Sequence, residues 1–344
     1  PRDRRPRHQA DGRAREQDLV APADIEVELG PAAFGRRLDA ALVAALREAG
    51  HTISRSGLSR SFATGQVRSE GRQLKPSLMV EAPLRVQLTL VEAPPLRAEP
   101  EPIPLSIVFE DESVLVIDKP AGIVVHPSAG HPDGTLVNGV LHHLGVGAEG
   151  LPRLPGNDAT RPGVVHRLDR DTSGVMVFTK TAEAAASLAA QFERHSIERR
   201  YVGVLSGVPE FSQRRVDTFH GRDPAERKRF APIRTDKQRR AVSHVEIVER
   251  LPKAAVAHFR LETGRTHQIR MHARYLGTPI FGDALYGRAP REEPRRRLWQ
   301  ELGRHALHAE HLGFEHPQSG TMVRFTSSLP AELRTLLTEL RVDD

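Results

Sequence analysis

Apolar residues along this chain follow two rhythms. Between Gly35 and Leu90, Leu38, Ala41, Leu42, Ala45 and Leu46 recur at i, i+3, i+4, i+7 and i+8, which predicts one amphipathic helix. After the turn at Gly50, SRSGLSRSFATG predicts a second short helix with Leu58 and Phe62 inward, ended by Gly65. QVRSEGRQL then predicts a hairpin turning at Glu70-Gly71, and LRVQLTL a closing strand. Farther along, LSIVFE, SVLVIDK, GVVHRL, GVMVFTK, YVGVLSG, AVSHVEIVE and AVAHFRLE read as strands, while AEAAASLAAQFERH and THQIRMHARYLG read as helices. Runs at this spacing, joined by short polar turns such as Glu110-Asp111-Glu112, predict an α+β fold with a mixed, largely antiparallel sheet and flanking helices. VEAPPLRAEPEPIP, from Val91 to Pro104, is proline-rich and acidic and is expected to be a semi-rigid linker. The expected organisation is a tail over 1–30, a small α/β domain over 35–90, the linker over 91–104 and a large domain over 105–340.

Composition narrows the function. At 344 residues the chain is long enough for about two domains. No apolar run approaches the roughly 20 residues of a spanning helix, so a soluble, cytoplasmic protein with no membrane partner is expected. Without cysteine there is no thiolate chemistry and no cysteine zinc site. The net charge is +6, and 44 arginines stand against six lysines. Arginine binds phosphate bidentately and stacks on bases, which favours a nucleic-acid partner, although a GC-rich genome would write the same bias. Aromatic residues at 5% argue against rows of stacking rings. The opening PRDRRPRHQADGRARE carries six arginines among acids and suits neither a signal nor a transit peptide, so a disordered basic tail is expected.

The densest chemistry lies in HRLDRDTSG, His166 to Gly174. Asp169, Asp171, Ser173 and Gly174 match half of a calcium loop, but the twelfth position is Lys180 and a strand-like run follows. An aspartyl phosphatase pair should follow a buried strand and be completed by a later acidic pair, and neither is present. Two glycosidase carboxyls would need one raised pKa, which the surrounding arginines oppose. One ionised working carboxylate remains. His305, His308 and His311 in HALHAEH could share a helix face, but they lack an acidic ligand in zinc spacing, so no metal is expected. His267 and His272 read as hydrogen-bonding members of a helix.

The unit over 35–90 resembles the S4-type RNA-binding domain, through Arg37-Leu38-Asp39, the Ser-Arg start of the second helix, Gly65-x-Val67 and Lys75-Pro76-Ser77. It departs at VRSEG and at Glu81-Ala82-Pro83. That resemblance implies RNA contacts at arginines such as Arg55 and Arg68. HRLDRDTSG, with DESVLVIDKPAGIVVHP and DGTLVN before it and ERRYVGV, LETGRTHQIRMH, GTPIFGDALYG and HALHAEHLGFEHP after it, resembles the RluA-type pseudouridine synthases, which isomerise uridine in RNA. The match runs from about Leu105 to Leu340 and is closest to the members that modify large-subunit ribosomal RNA. It implies Asp169 as the catalytic carboxylate, attacking the sugar or adding to the base and then leaving again, with no cofactor. It further implies Arg167 entering the stack vacated by a flipped uridine, and Tyr201 packing on the base. Arg265 resembles the arginine that pairs with the carboxylate; Arg270 competes for that role and is otherwise an RNA contact. Asp171 is then a bystander shaping the turn. Gly221 to Ala241 and Gly287 to Trp299 are expected to be RNA-facing loops of a monomer. Transfer RNA is the alternative substrate, and a non-catalytic RNA-binding or ribosome-assembly protein the alternative class.

Overall fold

The sheet rhythm of the sequence produces two separate ladders. The computed structural model describes residues 24–51, 53, 55–91, 96–234 and 239–342. These form two compact units, the second beginning at Leu96.

The first unit comprises β1 (Asp24–Leu29), α1 (Leu38–Glu48), α2 (Arg55–Ala63), β2 (Val67–Ser69), β3 (Arg72–Gln73) and β4 (Leu84–Thr89). Its four-stranded sheet has the order β1-β4-β2-β3, antiparallel throughout. The predicted stripe of α1 packs with Leu58 of α2 against Val27, Leu29, Val67, Val86 and Leu88, and Phe62 is partly buried beside them. The hairpin turns at Glu70 and Gly71, both in the left-handed region, with φ 49° and 77°. One expectation fails here. Residues 24–29 are not tail: DIEVEL alternates, and its apolar positions meet β4 from Asp24 opposite Thr89 to Leu29 opposite Leu84. The basic tail before residue 24 lies outside the described residues.

The second unit runs β5 (Ile107–Glu110), β6 (Val114–Lys119), α3 (Leu136–Leu144), β7 (Ser173–Thr179), α4 (Ala182–Glu193), β8 (Glu198–Leu205), β9 (Gln213–Phe219), β10 (Gly221–Arg222), β11 (Phe230–Ala231), β12 (Arg240–Leu251), β13 (Ala254–Leu261), α5 (Gln268–Tyr275), α6 (Arg295–Leu302), β14 (Leu307–Glu315), β15 (Met322–Thr326) and α7 (Ala331–Arg341). Nine strands form one sheet in the order β5-β6-β7-β14-β8-β13-β12-β9, with β15 on β14. Only β7 and β14 pair in parallel among the described strands. The unbroken apolar runs of β6 and β7 follow from burial on both faces. Leu115, Ile117, Met176 and Phe178 pack with α3 on one face, while Val114, Val116, Val175 and Val177 pack with α4 on the other.

Four local expectations are corrected. GVVHRL is no strand; it lies against β7 through an isolated bridge from Val164 to Phe178 and through the Gly163 carbonyl, which accepts the Thr179 amide. HALHAEH is no helix: from Leu307 it is strand β14, paired with β7 and β8. The described part of the linker from Leu96 to Pro104 is not free, because Ala98 is fully buried and Asn138 binds it from both ends, donating to the Glu99 carbonyl and accepting from the Glu101 amide. The segment Gly287 to Trp299 is not all loop. Its end begins α6, which buries Leu298 and Trp299, and Arg295 is buried with its guanidinium on the Lys253 carbonyl. In Gly221 to Ala241, residues 235–238 lie outside the described residues.

Gly174 makes the parallel pairing possible. Its φ is 115°, and a Cβ there would run into the carbonyl of Ala309 on β14. Gly174→Ala should therefore lower unfolding free energy by about 3 kcal/mol, from strain and overpacking together. Urea unfolding measures it, and a loss below about 1 kcal/mol would mean that β14 moves aside freely.

Candidate active site

Asp169 sits in the loop that leads into β7, where the turn closes by the Thr172 amide on the Asp169 carbonyl. Its side chain lines a cleft of about 610 Å³ together with Arg161, Arg167, Arg199, Tyr201, Arg265, His267 and Arg270. Oδ2 of Asp169 accepts a hydrogen bond from Nη1 of Arg270 at 3.1 Å and lies 4.0 Å from Nε2 of His267. Oδ1 has no hydrogen-bond partner among the described residues. Burial alone would raise the carboxyl's pKa, but His267, Arg270 and His305 more than offset it and hold the group below its ordinary value. Arg270 is the permanent charge among these. Burial lowers the pKa of His267 and brings His305 down to about 4, so both are neutral near pH 7.

The structure corrects the expected pairing. Arg270, and not Arg265, meets Asp169, because α5 begins only at Gln268 and carries Arg270 inward on its first turn. Arg265 lies in the turn before it, where its amide is capped by Gln268 Oε1 at 3.0 Å and its Nε donates to the Arg240 carbonyl at 3.2 Å. Arg270 is itself fixed from behind. Asp283, buried, accepts from its Nε at 2.7 Å and its Nη2 at 2.9 Å, and its Oδ1 also takes the amides of Leu285 and Tyr286. Only Nη1 of the fork is left for Asp169.

Tyr201 faces the cleft from β8 and is 8% exposed, with its hydroxyl unbonded among the described residues and its pKa raised by burial. Arg167 is exposed on the cleft wall without an ion pair among the described residues. His166, two residues on the other side of Leu168 from Arg170, is structural: its Nε2 accepts the Val177 amide at 3.0 Å, and burial drives its pKa down to about 3. Asp171 pairs with neighbouring Arg170 at 2.9 Å near the surface, and it serves the turn through its backbone carbonyl, which accepts from Arg304 Nη1 at 3.0 Å. In the first unit Arg68 is held by the Gly65 carbonyl at 2.8 Å; Arg55 opens α2, and its side chain lies outside the described residues.

The supports of this loop were not found from the sequence. Lys119, fully buried at the end of β6, donates to the carbonyls of Pro120, Ile123 and Arg170 at 2.8, 2.9 and 2.8 Å. Burial pulls its pKa down to about 7 while Asp171 and Asp169 hold it up, and three acceptors match the three N–H donors of the ammonium form. His305 reaches Thr172 Oγ1 at 2.8 Å, and His308 reaches Ser173 Oγ at 3.0 Å. The HALHAEH histidines thus clamp the Asp169 loop, apart from His311, which pairs with Glu198 at 3.2 Å. A usable signal existed for Lys119, since a lysine closing an apolar strand stands out where only six lysines occur among 50 basic residues. Asp283 offered a similar one, an acid inside the apolar run PIFGDALYG.

Comparison with known proteins gives one consistent family. The RNA pseudouridylate synthase family model matches residues 113–275. Ribosomal large subunit pseudouridine synthase D of Zymomonas mobilis subsp. mobilis is 40% identical over 93% of this chain and 98% of its own length. The protein of the same name from Pseudomonas aeruginosa is 38% identical over 93% of this chain and 96% of its own. RNA pseudouridine synthase 2, chloroplastic, of Arabidopsis thaliana is 39% identical over 84% of this chain and 77% of its own.

Lys119→Met should destabilise the second unit by about 3 kcal/mol, because three buried carbonyls lose their donor. Thermal unfolding of the variant checks this, and an unchanged midpoint would show that water replaces the ammonium without loss.

Proposed function

Since the chain belongs to the RNA pseudouridylate synthase family, we propose that it converts uridine to pseudouridine in large-subunit ribosomal RNA, with Asp169 as the working carboxylate. The observation that carries the reading is the state of Asp169: ionised, held through Oδ2 by a single N–H of Arg270, with Oδ1 open to the cleft. The reaction needs such a group. The N1–C1′ bond breaks with its electron pair going to the base, the base turns, and C5 bonds to C1′. The C5 proton then leaves and N1 takes one up. Asp169 forms a bond at the start and releases it at the end, so no redox change or external group enters the balance.

A stacked uridine must leave its helix to reach the cleft, at about a few kcal/mol. Arg167, free on the wall, is suited to fill the gap, and Tyr201 to lie against the flipped base. Arg161, Arg167, Arg199 and Arg265 line the cleft with no carboxylate on any of them among the described residues, which suits a phosphate backbone. The first unit, two helices on a small sheet, serves as the S4-like RNA module, with Arg55 and Arg68 among its contacts. No helix of the described residues is long and apolar enough to cross a membrane. The protein works on this reading as a cytoplasmic monomer.

Tritium release from 5-tritiated uridine in a large-subunit ribosomal RNA transcript tests the assignment. Asp169→Asn should abolish release, Arg270→Lys should slow it by roughly 100-fold, and Arg265→Ala should weaken binding while leaving the saturated rate within about threefold. Equal release by wild type and Asp169→Asn would remove Asp169 from the mechanism, and release from transfer RNA alone would move the substrate.

A further inference from the structure

Four described residues other than glycine hold a positive φ: Glu70, His195, Lys253 and His267. The first three are exposed, whereas His267, at φ 57° and ψ 20°, is partly buried beside Asp169 and forms the N-cap of α5. A left-handed histidine is disfavoured, and it persists only where the surroundings over-determine it. Here they do. The imidazole stands edge-on to the rings of Phe230 and Tyr286, at 5.8 and 5.6 Å. Its Nδ1 is 3.2 Å from the Tyr286 hydroxyl, which accepts the Phe230 amide at 2.7 Å.

One direction gives every donor in this chain of bonds an acceptor. The Tyr286 oxygen receives the Phe230 N–H, and the only acceptor for its own proton among the described residues is His267 Nδ1. Burial raises the Tyr286 pKa to about 12, so that proton stays in place. With Nδ1 occupied as an acceptor, the neutral ring must carry its hydrogen on Nε2, the atom 4.0 Å from Asp169 Oδ2 and lining the cleft.

We propose that His267 is a catalytic residue, a neutral Nε2–H donor locked in one tautomer by the Phe230 amide and the Tyr286 hydroxyl, that hydrogen-bonds a carbonyl oxygen of the uracil as the base takes up negative charge. The inference rests on the proposed reaction. Whether Asp169 attacks the sugar or the base, the electron pair passes onto the uracil ring and spreads to its carbonyl oxygens, where a fixed N–H is worth most. The bare 4.0 Å to Asp169 leaves the donor unspent until substrate enters. The lock starts on β10 and β11, since Phe230 belongs to that hairpin and also stacks on His220 at 4.5 Å. Charged and titratable groups surround the ring: Asp169 and Arg167 from the catalytic loop, Arg270 from α5, Asp283 and Tyr286 after it, and His220 and Arg222 behind Phe230. Burial is the largest influence and favours the neutral ring, with Arg270 and Arg167 acting the same way against Asp169 and Asp283.

Nitrogen-15 spectra of histidine-labelled full-length protein, with His267 assigned through His267→Gln, read the lock without any RNA. The expected result is a ring that is neutral at about pH 7 as a single Nε2–H tautomer, its titration displaced below the ordinary value of about 6.5, and in Tyr286→Phe a ring that stays neutral but divides between the two tautomers. A proton on Nδ1, or a cation at neutral pH, overturns the proposal. In tritium release, His267→Ala should lose about 100-fold in kcat with KM nearly unchanged, Gln should recover part of it through its own N–H, and Tyr286→Phe should lose about fivefold in kcat as the ring divides between tautomers. Retention of kcat within about twofold by both His267→Ala and Tyr286→Phe would overturn it as well. Absence of release from the wild type brings down the proposed reaction instead, and the spectra still decide the lock.

Discussion

A carboxylate that must stay charged inside a protein requires a permanent cation, and a cation enclosed there requires a second anion. That sequence of demands organises the second unit. Asp169 is held ionised by Arg270, and Arg270 is held by buried Asp283, which in turn accepts the backbone amides of Leu285 and Tyr286 just after it. Each link satisfies the one before it, and exposure falls along the chain from 18% at the Asp169 side chain through 10% at Arg270 to 0% at Asp283. Because Asp283 takes the two-pronged edge of the guanidinium, Asp169 receives one hydrogen bond and keeps an oxygen free. A bidentate pair would have been the stronger bridge and would have left neither oxygen free.

The loop bearing Asp169 is short of regular structure, so its shape comes from distant side chains. Lys119 ties the Arg170 carbonyl to the end of β6, and Arg304 takes the carbonyls of Asp171, His305 and Leu307. His305 and His308 add hydroxyl contacts from β14 and the residues before it. All of these are buried polar groups, which are stabilising only when fully satisfied. The loop therefore acquires its geometry when β6, β7 and β14 are in place, and a partly assembled sheet would carry Asp169 without positioning it.

How much of this was legible in the sequence depended on range. Local signals were readable: the α1 stripe, the Glu70-Gly71 hairpin, the two-sided strands of β6 and β7, and the motif around Asp169. DIEVEL alternates as clearly as any strand, yet it lies beside a polar tail and its partner β4 is some sixty residues away, so nothing nearby marked it. HALHAEH fits helical and strand spacing alike over so few residues, and only its parallel and antiparallel neighbours decide between them. The choice between Arg265 and Arg270 failed for a related reason. Both belong to one motif, five residues apart, and what separates their roles is that α5 begins at Gln268, after Arg265 and before Arg270. Lys119 and Asp283 act across 51 and 13 residues, a kind of contact that leaves no periodic trace.

The arginines of the cleft divide by whether their charge is already matched. Arg270 lies between two carboxylates, so it contributes order to Asp169 and little net field to anything approaching from solvent. Arg199 is buried on the carbonyls of Leu261 and Glu262, and Arg161 leans on the neutral imidazole of His126; neither neutralises its charge. Arg167 and Arg265 stand exposed at the rim. A polyanion would thus meet its attraction on the walls and rim, while the Arg270 charge beside Asp169 is already matched by two carboxylates. Salt screens the first strongly and the second weakly, because screening acts on charges that water surrounds. Binding and the ionised state of Asp169 are separable for that reason, although both depend on arginine.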